Sequence, residues 1–275
     1  SRQPSSDHQR CKPEPGVDET ELYSGVASLY RDHRPDYPPS LVRQAIELAR
    51  LTDGDELLEI GCGPATATVP FAQAGFQIHC LEPSAGMRRV ASEVCREFDR
   101  VSIQQSTLAD YQPDSRSFNA VLAASSFHWA LGDGMIQKVH DILRPGGALI
   151  LFWNLPPEPA DEIRSDIAKT CGLKKPFYFG DYSEPEHQQN IQQRVIEPLC
   201  ESGLFSRPTE SSQQTVRNTT PDDYLGFVQT LSPYIRMPTE QRLRFLDCAG
   251  RVLKQAGETI RVRNTCLLHV AHRVA

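Results

Sequence analysis

No stretch of this 275-residue chain approaches 18 consecutive apolar residues, so length alone excludes a hydrophobic spanning helix. The first 20 residues are polar, and no signal peptide is expected there. Lys and Arg never cluster in runs of five, and the net charge is −6. A chain of that charge has no electrostatic footprint for a polyanion, which makes tRNA, rRNA and DNA poor substrates. Eight cysteines are present, yet none forms a Cys-x-x-Cys pair. Several lie in apolar runs, where a thiol behaves as a small hydrophobe. This predicts a reduced cytoplasmic protein with neither a disulfide scaffold nor a zinc site. The eight histidines show no ligand spacing either, and no metal is expected. His269 and His272 lie three apart, on opposite faces if they share a strand.

What is present is concentrated in twelve residues, Leu57-Leu-Glu-Ile-Gly-Cys-Gly-Pro-Ala-Thr-Ala-Thr68. A short apolar run carries Glu59, and Gly61 and Gly63 follow before a run of small and hydroxyl residues opens a predicted helix. Glycines at a strand-to-helix turn permit positive φ and close approach of backbone to ligand. The third glycine of Gly-x-Gly-x-x-Gly is missing, so the turn alone is a weak signal. A second apolar run, 76–81, ends in Glu82, twenty-one residues beyond Gly61. A carboxylate at the tip of a second strand is placed to accept bonds from both ribose hydroxyls. Glu59, two residues before the first glycine, suits a cationic ammonium and repels a pyrophosphate. S-adenosylmethionine has the ammonium and no phosphate, whereas NAD needs a helix N-terminus free for its pyrophosphate.

With these residues in place, the chain resembles the class I S-adenosylmethionine-dependent methyltransferases of the small-molecule "type 11" kind. Glu59-Ile-Gly-Cys-Gly63 is similar to the family's first motif and Glu82 to its ribose-binding acid. Ser125-Ser-Phe-His-Trp129 looks like its substrate-facing fourth-strand motif, and Leu143-Arg-Pro-Gly-Gly147 like the turn into strand five. Tyr30-Arg-Asp-His-Arg-Pro-Asp-Tyr-Pro38 is similar to a segment of the branch that includes relatives of trans-aconitate methyltransferases. The resemblance covers residues 25–154 well and the remainder loosely. One motif departs: where the family has Gly-Asp-Ala-Glu after strand three, this chain reads Ser106-Thr-Leu-Ala109. That leaves the Leu108 N–H for adenine, and Thr107 or Asp110 for its exocyclic amine.

Along the chain, residues 1–18 read as a disordered tail of Ser, Gln, Pro and charge. Residues 40–50 place Leu41, Val42, Ala45, Ile46 and Ala49 on one helical face after two prolines. Strand and helix then alternate at 56–60, 66–74, 77–81, 84–98, 101–104, 119–124, 134–143 and 148–153. That order predicts an α/β fold with a Rossmann-like, mostly parallel sheet and ligands at the strands' carboxyl ends. After Asn154, Leu155-Pro-Pro-Glu-Pro159 reads as a stiff linker. Two helices are expected over 160–200 around the aromatic loop Phe177-Tyr-Phe-Gly-Asp-Tyr182. A strand is expected at Thr215-Val216-Arg217, helices open at Thr220 and Thr239, and a strand runs over 259–270. The resemblance implies seven strands with an antiparallel C-terminal hairpin at the sheet edge and an inserted helical cap. The sheet domain is then 19–154 with 205–217 and 258–275, and the cap is 155–204 with 218–257.

The implied activity is methyl transfer from S-adenosylmethionine to a small-molecule acceptor, with O-methylation of a carboxylate or hydroxyl favoured, by a monomer or homodimer. A non-catalytic cofactor-binding regulator is the alternative from another class. An NAD-linked oxidoreductase is less favoured, because no Tyr-x-x-x-Lys dyad and no second nucleotide-binding half are present. Cofactor contacts are expected from Tyr30, Arg34, Glu59, Gly61, Gly63, Glu82, Pro83, Met87, Thr107, Leu108 and Ser125. The acceptor is expected at His33, His128, Trp129, Asn154, Tyr178, Tyr182 and Arg236. His128 is either a general base or an orienting residue, since histidine serves both.

Overall fold

A computed structural model describes residues 19–113, 117–173 and 184–275. The aromatic loop with Tyr178 and Tyr182, and the tail at 1–18, lie outside the described residues. Strands β1 (Glu56–Ile60), β2 (Gln77–Leu81), β3 (Val101–Gln104), β4 (Phe118–Ala124) and β5 (Leu143–Asn154) are parallel neighbours in the order 3-2-1-4-5. The sheet is extended by β8 (Ile260–His272), antiparallel to β5 along one edge and to β7 (Thr209–Thr219) along the other. A two-residue strand, β6 (Glu158–Pro159), shares the β5 side of β8. The expected sheet and its antiparallel C-terminal pair are therefore present, with one short strand added.

Runs of small and branched apolar residues make these strands. Ala120, Val121, Leu122, Leu149, Ile150 and Phe152 are fully buried, as expected where helices cover both faces of a parallel sheet. Helices α1 (Ala27–His33), α2 (Pro39–Leu48), α3 (Thr68–Gln73) and α4 (Ala85–Val94) precede and interleave the first strands. Two more, α5 (Phe127–Ala130) and α6 (Met135–Ile142), link β4 to β5. Beyond β6 come α7 (Asp161–Thr170), α8 (Glu184–Ile191), a π-helical turn (Gln192–Ile196) and α9 (Glu197–Glu201). Then α10 (Pro221–Val228), α11 (Ser232–Ile235) and α12 (Thr239–Ala256) fill the gap between β7 and β8. Thr220 caps α10 by accepting from the Asp223 N–H, with Pro221 at the first position.

The helices outside the sheet divide differently from the expected cap. Ile167 of α7 packs with Tyr224, Phe227, Leu253 and Val262 in a cluster formed by α7, α10, α11 and α12. Val195, Ile196 and Leu199 pack elsewhere, with Trp153, Phe205 and Leu267 against the β4–β5–β8 face. The segment from the π-helical turn to α9 thus covers the sheet rather than the cleft.

One expectation is overturned outright. Cys171, at the end of α7, and Cys248, in α12, form a disulfide with their Cα atoms 5.8 Å apart. They stand 77 residues apart in the chain, so no spacing motif announces the pair, and folding alone brings the thiols together. Among the described residues no helix is long and apolar enough to cross a membrane.

Candidate cofactor and acceptor site

A cleft of about 410 Å³ opens at the carboxyl ends of the parallel strands, where the strand order reverses between β1 and β4. That switch point is where open α/β sheets hold ligands, and the volume suits a small molecule. Its floor is the glycine turn. Gly61 and Gly63 have φ of +65° and +56°, and a Cβ on Gly61 would stand 2.9 Å from the Ser126 Cβ. Only glycine fits there. The Gly61 N–H donates to the Leu81 carbonyl, which fixes the turn to the end of β2.

Glu82 follows β2 directly. Its Oε2 accepts from the Gly63 N–H at 2.8 Å and its Oε1 from the Ser84 N–H at 2.9 Å. Two backbone donors lock the carboxylate, and each oxygen keeps a second lone pair. Burial pushes the Glu82 pKa up, while the Ser84 and Gly63 N–H groups and Arg88 hold it back.

The roof comes from the chain's N-terminal segment. Glu21 accepts from the Ala85 N–H and Ser24 Oγ from the Gly86 N–H, so this segment caps α4 in place of solvent. A Cβ on Gly86 would lie 2.3 Å from the Ser24 carbonyl oxygen, so glycine is what permits the approach. Tyr23 and Tyr30 pack edge to face, and Tyr30 lines the cleft. The Arg34 guanidinium lies 4.4 Å from the Tyr30 ring centroid and 5.3 Å from that of Phe227. Its Nε and Nη2 donate to the Thr230 hydroxyl and carbonyl just beyond α10.

Of the residues expected here, Tyr30, Arg34, Gly61, Gly63, Glu82, Pro83, Met87, Thr107, Leu108, Ser125, Trp129 and Asn154 all line this one cleft. Asp110 does not line it. It accepts the Thr107 hydroxyl proton at 2.7 Å and returns its own N–H to that hydroxyl. Trp129 is 57% exposed at the mouth.

Four expected residues stand elsewhere. Glu59 points to the face of β1 under α3, because Ile60 takes the opposite face and alternation leaves Glu59 no other choice. It is fully buried and accepts the Thr68 hydroxyl at 2.6 Å. Burial pushes its pKa up to about 8 against the hydrogen bonds from Thr68 and Cys80, and the side chain stays out of the cleft lining. His33 turns onto α10, within 3.8 Å of Asp223 and packed over Gly226. His128 faces the π-helical turn; burial, with Arg194 and His187 nearby, pushes its pKa down to about 4. Arg236 ends α11 on the surface, outside the cleft lining.

Glu59 yields a test. A carboxyl whose folded pKa is raised takes up a proton on folding, so its contribution to stability is complete below the unfolded value and is lost as pH rises through about 8. Glu59→Gln is therefore expected to raise Tm at pH 8.5 relative to the parent, with a smaller effect at pH 5. Thermal melts at the two pH values check it; equal shifts would mean Glu59 does not titrate in that window.

Sequence reasoning missed Tyr37, Ser126 and Phe227, which also line the cleft. Tyr37 lay inside the quoted Tyr30–Pro38 segment, but nothing in its spacing distinguishes a site tyrosine from a core one. Phe227 comes from a helix about 80 residues past the last recognisable motif.

Residues 57–147 match the model of a family described as "Methyltransferase domain". An uncharacterized methyltransferase of Mycobacterium tuberculosis is 27% identical over 236 residues, covering 84% of this chain and 85% of that protein. A "probable S-adenosylmethionine-dependent methyltransferase" of Saccharomyces cerevisiae is 28% identical over 138 residues, 48% of this chain and 46% of that one. Among solved structures, a candidate type II methyltransferase from Anaeromyxobacter dehalogenans aligns with a TM-score of 0.60 at 17% identity, over 86% of this chain and 97% of that one. That last likeness shows the fold alone. The methyltransferase-domain match over residues 57–147, the relatives and the cleft at the switch point together support a class I S-adenosylmethionine-dependent methyltransferase.

Proposed function

We propose that the cleft holds S-adenosylmethionine against the glycine turn and transfers its methyl group to an oxygen of a small molecule entering past Trp129. The observation that carries this is the Glu82 carboxylate, locked by two backbone N–H groups with a lone pair left on each oxygen. Those lone pairs suit the two ribose hydroxyls. Thr107 gives its proton to Asp110 and takes one back, which leaves one lone pair for the adenine amine. The Leu108 N–H remains the reading for the ring. The glycine turn admits the amino-acid end, and Arg34 faces its carboxylate.

Two features support a small acceptor. The roof closes over the cleft, and the far wall is apolar, built from Trp129, Ala130, Leu155, Pro157 and Phe227. A sulfonium is already a good leaving group, so the protein's task is alignment and exclusion of water. Among the described residues no histidine lines this cleft, and with a pKa of about 4 His128 is a poor match for a base working near neutral pH. An acceptor oxygen that is already nucleophilic, above all a carboxylate, fits this site.

The test is incubation of methyl-labelled S-adenosylmethionine and the protein with a pool of small metabolites, with the labelled product identified by mass spectrometry. Cofactor binding without any labelled product would favour a non-catalytic binder. His128→Ala is expected to lower turnover by no more than about tenfold and to leave the profile flat from pH 6 to pH 9. A loss of roughly a hundredfold or more that depends on pH would restore His128 as a general base.

A further inference from the structure

Ser125 stands at the tip of β4 with φ of +56°, a left-handed conformation that a non-glycine residue adopts only when its surroundings demand it. It is fixed from three sides. Its N–H donates to the Phe152 carbonyl at 2.8 Å. The Asn154 N–H donates to its Oγ at 3.3 Å. The phenol oxygen of Tyr37 lies 3.3 Å from the same Oγ. Tyr37 itself is buried, its ring 5.1 Å from that of Phe152.

Which hydroxyl donates follows from counting protons. A phenol carries one proton, and among the described residues Ser125 is the only hydrogen-bond partner of Tyr37. Were Tyr37 the acceptor, its own proton would find no partner among the described residues, whereas as donor it has one. Tyr37 therefore donates, and burial holds it in the protonated form that can do so. The Ser125 oxygen has two lone pairs. One takes the Tyr37 proton and the other the Asn154 N–H. The serine's own proton then has one direction left, away from the sheet and into the cleft that Ser125 lines.

We propose that Tyr37 is a positioning residue that commits the Ser125 hydroxyl to donate into the cleft, so that the ligand atom seated there is an oxygen with a free lone pair, as in a carboxylate, and not an ammonium or another donor. This rests on the reading that the cleft takes S-adenosylmethionine and a small acceptor. Two carboxylates can supply the oxygen: that of the cofactor's amino-acid end, or that of the acceptor. Tyr37 also lines the cleft, but its role in this proposal runs through the serine.

The experiment is a double-mutant cycle with Tyr37→Phe, Ser125→Ala and the double variant, read with two truncation-related probes. S-adenosylhomocysteine carries the carboxylate, and 5′-methylthioadenosine lacks the amino-acid end. If the oxygen belongs to the cofactor, Ser125→Ala weakens S-adenosylhomocysteine about tenfold and leaves methylthioadenosine unchanged. Tyr37→Phe weakens it by less, and adds nothing once Ser125 is alanine. If the oxygen belongs to the acceptor, both probes bind unchanged, and the same non-additive pattern appears in KM for the labelled product's precursor. Ser125→Gly, which removes the hydroxyl and suits the positive φ, repeats the binding loss should the alanine variant fold poorly. Additive effects of the two substitutions overturn the proposal. So does equal loss for both probes, or no change in any of these readouts. Failure of the underlying reading looks different: the unmodified protein would bind neither probe.

Discussion

Replacing Glu82 by alanine is expected to weaken S-adenosylhomocysteine by roughly a hundredfold or more. Two ribose hydroxyls donating to a charged oxygen are worth about 1.5 kcal/mol each at the low end, or about 3 kcal/mol together. The substitution also strips the Gly63 and Ser84 N–H groups of their acceptor, which loosens the turn beneath the cofactor. Titration calorimetry measures the loss, and unchanged affinity would remove the ribose role. The pH dependence carries a second signature. Only the ionised carboxylate can accept both hydroxyls, while burial raises its pKa above the ordinary carboxyl value. Affinity should therefore fall on acidification through that raised pKa. The same group's contribution to folding runs the other way: it is complete at low pH and is lost as pH rises through the folded pKa. A pH at which the fold gains from this residue is thus one at which the ligand loses.

The second large effect concerns the Cys171–Cys248 disulfide. Opening a bridge that closes a 77-residue span releases chain entropy worth up to about 4 kcal/mol at room temperature. For a chain of this size that corresponds to a fall in Tm of roughly 10 °C. Cys171→Ser, Cys248→Ser and treatment of the parent with dithiothreitol should give the same melting temperature. Cofactor affinity should change little, because Glu82 and the glycine turn lie within residues 57–147 and far along the chain from the bridge. Melting curves that do not respond to the reductant would show that the thiols are unpaired in the protein as isolated.

The sequence made the parallel half of the sheet readable, because β1, β2, β4 and β5 are short apolar runs bounded by glycine, proline and acid. The long final strand was nearly as plain, expected over 259–270 and found at Ile260–His272. By contrast β7 was visible only at Thr215–Arg217, although it spans Thr209–Thr219. Its residues are almost all polar and mostly exposed along a sheet edge, so no burial pattern is printed on them. Glu59 misled for a different reason. Its position beside Gly61 was legible, but the face it takes depends on strand alternation against α3, and two residues of offset from the tip decide between ligand and core. His128 shows the same limit: its ring packs 5.1 Å from that of the cleft-lining Trp129, yet His128 itself stays out of the cleft lining. Cys171 and Cys248 had no local signal at all.

The latch between the N-terminal segment and α4 turns cofactor exchange into a question of populations. Glu21 on the Ala85 N–H and Ser24 on the Gly86 N–H are two hydrogen bonds worth about 1 kcal/mol each. Together they favour the closed roof by up to roughly thirtyfold, set against the entropy of ordering the segment. Ala27 and Tyr30 against Met87 and Val90 favour it further. A ligand that enters only when the roof is open therefore associates more slowly than it would with an unroofed cleft. A spent cofactor leaves through the same rare opening, so the latch sets a ceiling on turnover that the chemistry at the sulfonium cannot raise.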